Sequence, residues 1–217
     1  MIKIEKADAF GWETAIRGMR NPMNSWDKSD TNYNMMRYHY YGCDISESTT
    51  SPDIGENDLT LMKRLVKAGS DHSKFMRMIN VTCDITAPLY WWKEYDTYKV
   101  GTVANSCSTM HKVHVKELTL DDFSHDKLNE FNRQILQLYI DTINTDRKVF
   151  LETKDKDAWY QMIQMLPSSY NQKRTVQLNY AVLRNMYHSR KNHKLDEWCT
   201  FCEWVEKLPY SELITLC

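Results

Sequence analysis

The stretch Leu166–Glu197, LPSSYNQKRTVQLNYAVLRNMYHSRKNHKLDE, decides the fold, because strong polar side chains stand in it where a helix should carry only core. Steps of three and four residues from Asn179 give Asn179, Leu183, Met186 and Arg190, one stripe of an amphipathic helix with an apolar middle and polar ends. An Arg on the inward stripe must be paired or must hold an anionic or hydrogen-bonding ligand, since burying a bare charge is costly. A plainer reading stands beside this one. Asn179 follows the strand-like RTVQL and suits an N-cap, Arg190 can pair with Asp196 or Glu197, and His193 can cap or pair near a helix end.

Outward from that stretch, 217 residues carry ample core for one large domain or two small ones, and nothing in the sequence marks a split. The chain is 42% hydrophobic and 26% charged, a globular composition without an apolar run long enough to cross a bilayer. The opening MIKIEKADAF has no apolar segment behind its lysines, so the expectation is a cytoplasmic protein. A formal net charge of -1 gives no general pull toward nucleic acid or membrane, and any anion site must be a local basic cluster. Of the six cysteines, Cys43, Cys83, Cys107, Cys199, Cys202 and Cys217, only Cys199 and Cys202 are close in sequence. Their CxxC lies in a helical segment with no second CxxC or HxxxH, so packing is favoured over a redox or metal pair and no metal site is expected.

In chain order the pattern predicts a strand from Met1 to Lys6 and a helix from about Ala9 to Met19, stopped by Asn21-Pro22. In RNPMNSWDKSDTNYN, the side chains of Arg17 (just before it), Arg20, Asn24, Ser25 and Lys28 supply phosphate-type donors and Trp26 a stacking face, against the alternative of a loop that makes its own turns and caps. Residues 45–56 read as a Ser/Thr/Pro-rich loop. Asn57 then caps a helix through about Ala68 whose buried side is Leu59, Leu61, Met62, Leu65 and Val66. KFMRMINVTCDIT reads as a strand, which Pro88 closes before the short helix LYWWKEYD. TYKVGTVANSCSTMHK is mostly small and hydroxylated, with Gly101 permitting close backbone approach. Residues 113–119 read as another strand. Ser124 caps a helix from about Asp126 to Val149 with the core stripe Leu128, Phe131, Ile135, Leu138 and Tyr139, and a further helix runs from Asp155 to Met165.

Leu166-Pro167, Thr175-Val176, Asn179, Asn185, Arg190, His193 and Glu197 follow in an order that resembles the flavin-dependent thymidylate synthases, the ThyX family. The spacing from Leu166 to Arg190 fits without a gap, and His193 needs a one-residue deletion. The resemblance extends from about Leu59 to Glu206, leaving residues 1–56 a divergent N-terminal portion of a single domain. It implies an α/β fold with an antiparallel sheet flanked by helices, and a homotetramer whose sites are shared at subunit interfaces. It further implies that Asn179, Asn185 and His193 help hold FAD, while Arg190 contacts and polarises the uracil of dUMP.

The central region is similar in outline more than in chemistry. Gly69, His72 and Ala87-Pro88 resemble the family's approach to its signature, an RHR followed by spaced Ser, Asn, Glu, Ser and Arg. Here RHR is replaced by Thr97-Tyr98-Lys99, the first Ser by Thr102, and the Asn by Asn105. The later Ser falls on Cys107 or Ser108, the Glu has no clear counterpart, and the final Arg lands near Thr109 or Met110. The family's Arg-Gln-Trp reads Lys93-Glu94-Tyr95, a flavin-side His reads Asp84, and a substrate-phosphate Arg reads Ile163. Lys99, Thr102 and Asn105 thus join the cofactor-binding candidates. Lys93, Ser108 and Lys173 join Arg190 as substrate-binding candidates.

Two RHR arginines would supply charge-assisted hydrogen bonds worth about 1.5–3 kcal/mol each. A lysine offers a point charge but not the planar fork. Lys99, Lys173, Arg174 and the Arg17–Lys28 loop are the replacements available. The implied reaction is reductive methylation of dUMP, with methylenetetrahydrofolate and NADPH needed if the chain is catalytic. No protein nucleophile is required, so a lone Cys107 reads as packing. Beside this reading stand a non-catalytic protein that binds or sequesters a nucleotide on the same fold, and a different modifying enzyme built on it.

Overall fold

The computed structural model of the chain describes residues 2–40 and 48–216. Met1, Cys43, Cys217 and residues 45–47 of the expected Ser/Thr/Pro-rich loop lie outside the described residues. In order the elements are β1 (Lys3–Phe10), α1 (Trp12–Arg20), β2 (Asn32–Tyr40), β3 (Ser48–Asp53), α2 (Glu56–Lys67), β4 (Asn80–Pro88) and α3 (Leu89–Tyr95). Then come β5 (Val103–Ser106), α4 (Glu130–Thr153), α5 (Lys156–Met165), β6 (Asn171–Asn179), α6 (Tyr180–Arg190), α7 (Asp196–Val205) and α8 (Glu212–Thr215). The architecture is mixed helices and antiparallel sheet, as the sequence led us to expect. One sheet has the strand order β1-β4-β6-β5, and β2 pairs antiparallel with β3.

The chain gathers into two compact units: residues 1–3, 86–97 and 105–174, and residues 4–85, 98–104 and 175–217. Each is assembled from separate segments, so no linker marks the division in the sequence.

The first unit is built on α4 and α5. Val113, Leu118, Phe123, Leu136, Ile140, Ile143 and Met162 form its buried cluster. Residues 113–119, expected as a strand, instead hold a single 3-10 turn at Val113–Val115. The reason is Asn144, a buried amide on α4. Its Nδ2 donates to the Leu118 carbonyl at 2.8 Å, and its Oδ1 accepts from the Leu118 N–H at 2.9 Å, so a side chain satisfies the backbone that a neighbouring strand would have met. The cap of α4 also differs from expectation. Asn129 accepts from the Asn132 N–H at 2.8 Å, whereas the Ser124 hydroxyl donates to Asn171.

The core stripe of α4 is rotated from the one expected. Leu136, Ile140, Ile143 and Asn144 are buried, whereas Phe131 is 69% and Leu138 61% exposed, with Ile135 and Tyr139 also exposed. Both stripes are apolar at helical spacing, and periodicity cannot say which one faces the same chain. The aromatic run of α3 belongs to the same unit: Trp91, Trp92 and Tyr95 are buried with ring centroids about 5 Å apart.

In the second unit the loop after α1 is organised by a buried ion pair. Arg20 Nε donates to Asp58 Oδ1 at 2.6 Å. Its Nη1 donates to the Ser25 carbonyl and hydroxyl, and its Nη2 to the Lys28 carbonyl. Asp58 Oδ2 in turn accepts from the hydroxyls of Ser29 and Thr31 and from the Thr31 N–H. Of the two sequence readings of this loop, the geometry of Arg20 therefore follows the one in which the loop makes its own order. Asp30 caps α2, its carboxylate accepting from the N–H groups of Asn57 and Asp58, so Asn57 is a capped residue rather than the expected cap. Leu61, Met62 and Val66 are the buried side of α2, as expected, with Leu59 and Leu65 half-buried. Ser48–Asp53 is strand β3 rather than loop, and the KFMR of the expected strand is a 3-10 turn before β4.

Burial alone would raise the Asp58 carboxyl, but the hydrogen bonds from Ser29, Thr31 and Arg20 outweigh it and hold it below the ordinary carboxylate value. A carboxyl depressed in the folded state contributes stability above its unfolded pKa of about 3.9, and that contribution is lost as the pH falls through the folded value. Asp58→Asn leaves Arg20 buried without its counter-charge and should cost about 3–5 kcal/mol at neutral pH. In urea denaturation the gap between wild type and variant should narrow on acidification below about pH 4; a gap independent of pH would contradict this assignment.

Candidate functional site

Strand β6 passes directly into α6, and Asn179 makes the junction. Its Oδ1 accepts from the Val182 N–H at 3.0 Å, an N-cap as the plainer sequence reading held. The stripe read from the sequence is present: Leu183 and Met186 are fully buried, while Asn179 and Arg190 at its two ends are half-buried. Asn185 faces outward and is exposed.

At the far end of α6 the Arg190 side chain meets aromatic rings. Its Nε donates to the Tyr98 hydroxyl at 2.9 Å. Its guanidinium carbon lies 5.0 Å from the Trp198 ring centroid and 5.6 Å from that of Tyr98, and the two rings are 6.1 Å apart. Cation–π contact of this kind offsets part of the loss of water around a half-buried guanidinium. Trp198 is fully buried on α7 and also stands edge-on to His193 at 6.3 Å. His193 Nδ1 accepts from the Leu195 N–H at 3.2 Å, and the His193 N–H donates to the Arg190 carbonyl at 2.9 Å. The turn between α6 and α7 is thus closed by the histidine itself.

Tyr98 begins a turn that lies along α6. The Thr102 hydroxyl donates to the Tyr98 carbonyl at 3.1 Å. Gly101 has φ of +85°, and a Cβ there would stand 3.1 Å from Val182 Cγ2 and 3.2 Å from Asn179 Nδ2. The turn therefore touches the N-terminal end of α6 through Gly101 and its C-terminal end through Tyr98. Asn179 and Thr102 thus lie at the N-terminal end of one helix and Arg190 and His193 at its C-terminal end, and Lys99 belongs to the same turn as Thr102 with its side chain exposed. Trp198 was not singled out in the sequence. Its one signal was an aromatic residue a few positions beyond an inward-facing Arg.

Of the remaining candidates, Lys93, Asn105, Lys173, Ser108 and Arg174 lie in the first unit and Asp84 in the second. Lys93 and Asn105 are exposed. Lys173 is half-buried, its carbonyl accepting from the Cys107 N–H at 2.9 Å, and Ser108 Oγ accepts from the His111 N–H at 2.9 Å. Arg174, a possible phosphate ligand by sequence, donates to Asp96 at 2.8 Å and to Gln172 at 3.0 Å and stacks 4.2 Å over Trp92. Asp84, where the resembled family has a histidine, accepts from the Thr175 hydroxyl at 2.6 Å and pairs with Lys6 at 3.6 Å.

Of the CxxC pair, Cys199 donates weakly to the His193 carbonyl at 3.5 Å, and burial pushes the Cys202 thiol up to about 12. Such a thiol is not a ready nucleophile at neutral pH. Among the described residues no group of three metal-ligating side chains occurs, and no helix is long and apolar enough to cross a membrane.

No protein-family model matches the chain, and no curated protein matches it in sequence. Solved structures do match. One is the flavin-dependent thymidylate synthase ThyX of Helicobacter pylori complexed with FAD and dUMP, at a TM-score of 0.65 and 17% identity, covering 97% of this chain and 96% of that one. A second structure of the Helicobacter pylori enzyme with FAD and dUMP gives 0.66 and 16%, covering 98% and 96%. The chain has a ThyX-like fold. At this identity the likeness is one of fold, and the residues must speak for the chemistry.

Replacing Gly101 with Ala forces a side chain onto Asn179 and Val182 at a left-handed backbone position. The variant should lose about 1–3 kcal/mol of unfolding free energy by chemical denaturation; wild-type stability would show that the turn is not seated on α6 as described.

Proposed function

We propose that the chain binds a pyrimidine nucleotide of the dUMP kind together with FAD, as a flavin-dependent thymidylate synthase-like protein. The observation that carries this reading is Arg190, a guanidinium held between aromatic rings at the end of the one helix whose polar positions follow the family's order. The near-full-length likeness in fold to enzymes complexed with FAD and dUMP supports it. Arg190 is assigned to the uracil. Asn179, Asn185, His193, Lys99, Thr102 and Asn105 are assigned to the flavin, and Lys93, Ser108 and Lys173 to the rest of the substrate.

The donor set fits FAD in kind. It offers amide, hydroxyl and imidazole groups suited to ring heteroatoms, with Lys99 as an exposed charge for a phosphate. Arg174 and Arg20 are committed to Asp96 and Asp58, so lysines are assigned the charge compensation that the RHR arginines would give. FAD would supply the hydride transfer of a reductive methylation, with methylenetetrahydrofolate as the carbon source and NADPH as the reductant. The protein's part is to orient the ring and to stabilise charge on a uracil carbonyl through Arg190.

A second reading, nucleotide binding without turnover, is favoured by Thr97-Tyr98-Lys99 standing in place of RHR. The exposed stripe of Phe131, Ile135, Leu138 and Tyr139 on α4 favours assembly as a homotetramer, and sedimentation of Leu138→Glu as a smaller species than wild type would bear on it.

Protein loaded with FAD should convert dUMP to dTMP when given methylenetetrahydrofolate and NADPH. Arg190→Ala should weaken dUMP binding by about 1.5–3 kcal/mol, roughly ten- to hundredfold, in titration calorimetry. Tight dUMP binding without turnover would select the second reading, and binding unaffected by Arg190→Ala would remove Arg190 from the site.

A further inference from the structure

We propose that the cavity between the two 3-10 turns after α1 and helix α2 binds a small organic phosphate, a phosphate monoester held by Lys28 and Arg64. The helix wall follows from spacing. Asn57, Thr60, Leu61 and Arg64 stand at steps of three and four on α2, so an amide, a hydroxyl, an aliphatic chain and a guanidinium share one face. The facing wall is the pair of turns Asn21–Met23 and Trp26–Lys28, which brings Met23, Ser25 and Lys28 to the same cavity. Its volume of about 420 Å³ falls among those of small-molecule sites, about 300–1,000 Å³.

Three observations select the ligand's chemistry. The first is charge. Lys28 and Arg64 bring one positive charge from each wall, no lining residue is acidic, and among the described residues neither cation pairs with a carboxylate. The recorded contact of the Arg64 guanidinium is with Met23 Sδ at 3.9 Å, a weak acceptor. The third lining cation, Arg20, is answered by Asp58. The second observation is the frame. Arg20 binds the Ser25 and Lys28 carbonyls on one wall and Asp58 of α2 on the other, so the two walls are fastened together before a ligand arrives. Ser25 is buried and its Oγ accepts from Arg20 Nη1 at 3.3 Å, which leaves the hydroxyl proton for an acceptor in the cavity. The third is the pairing of donors with the apolar side chains of Met23 and Leu61, which suit an organic body rather than a bare ion. Two cations with hydroxyl and amide donors match a group of two charges and three acceptor oxygens better than a carboxylate. The inference stands apart from the assignment of Arg190.

The test is titration calorimetry with ribose 5-phosphate, ribose and dUMP on the full chain as wild type, Lys28→Gln, Arg64→Gln and Lys67→Gln, with thermal unfolding measured for each. Wild type should bind ribose 5-phosphate saturably and ribose not at all. Lys28→Gln and Arg64→Gln should each weaken that binding about tenfold or more, at unchanged unfolding midpoints because both side chains are exposed. Lys67→Gln removes a charge from the same helix outside the cavity and should leave the affinity as it was. A parallel loss of dUMP affinity in the first two variants makes the bound phosphate a nucleotide's, and dUMP affinity untouched by them makes it a sugar phosphate's; either result upholds the site. A chain that binds ribose 5-phosphate but not dUMP keeps this inference and loses the nucleotide reading of Arg190. No saturable binding of either phosphate, equal binding of ribose, or an equal loss in Lys67→Gln would overturn the proposal.

Discussion

A half-buried guanidinium cannot be left to chance, and the contacts of Arg190 with Tyr98 and Trp198 join three places in the sequence. Tyr98 comes from the turn after α3, Trp198 from α7, and the arginine itself from the end of α6. Meeting the charge in this way ties α7 and the Tyr98–Thr102 turn to the same helix, and the N-cap at Asn179 fixes where that helix begins. Arg20 is a second guanidinium taken out of water in the same unit. There the guanidinium is answered by a carboxylate, two carbonyls and a hydroxyl, all from the protein, and the outcome is an ordered loop. At Arg190 the ring faces of Tyr98 and Trp198 add their own stabilisation of the charge.

Much of this was legible in the sequence. The stripe Asn179, Leu183, Met186, Arg190 follows from helical spacing alone, and its apolar members are buried as the spacing requires. Pro88 stands at the start of α3, Pro167 follows the end of α5, and Asp155 accepts from the Asp157 N–H to cap α5, because proline and short polar side chains act locally and leave a local signature. The mixed helices and antiparallel sheet were likewise expected.

What could not be read depends on partners distant in sequence. Residues 113–119 have a strand's composition, yet Asn144 satisfies Leu118 across 26 positions and no ladder is needed. α4 has two apolar stripes, and only tertiary packing selects Leu136, Ile140 and Ile143 for this unit's core. Asp58 lies on the first turn of α2, where an exposed acid is usual, and its burial against Arg20 has no local cue. In the same way Trp198 could be counted as core from its neighbours, but its service to Arg190 needs the turn between α6 and α7. Lys93, Asn105, Lys173 and Ser108 were placed by resemblance alone, and their neighbourhoods carry no independent sign of a ligand.

The central claim is that a pyrimidine nucleotide and a flavin belong to this fold's Arg190 end. Mass spectrometry of the small molecules released when freshly purified protein is denatured addresses it most directly. The account predicts FAD and a pyrimidine nucleoside monophosphate in the released fraction, with the nucleotide depleted in Arg190→Ala. Release of neither, from protein that also fails to retain added dUMP, would contradict it.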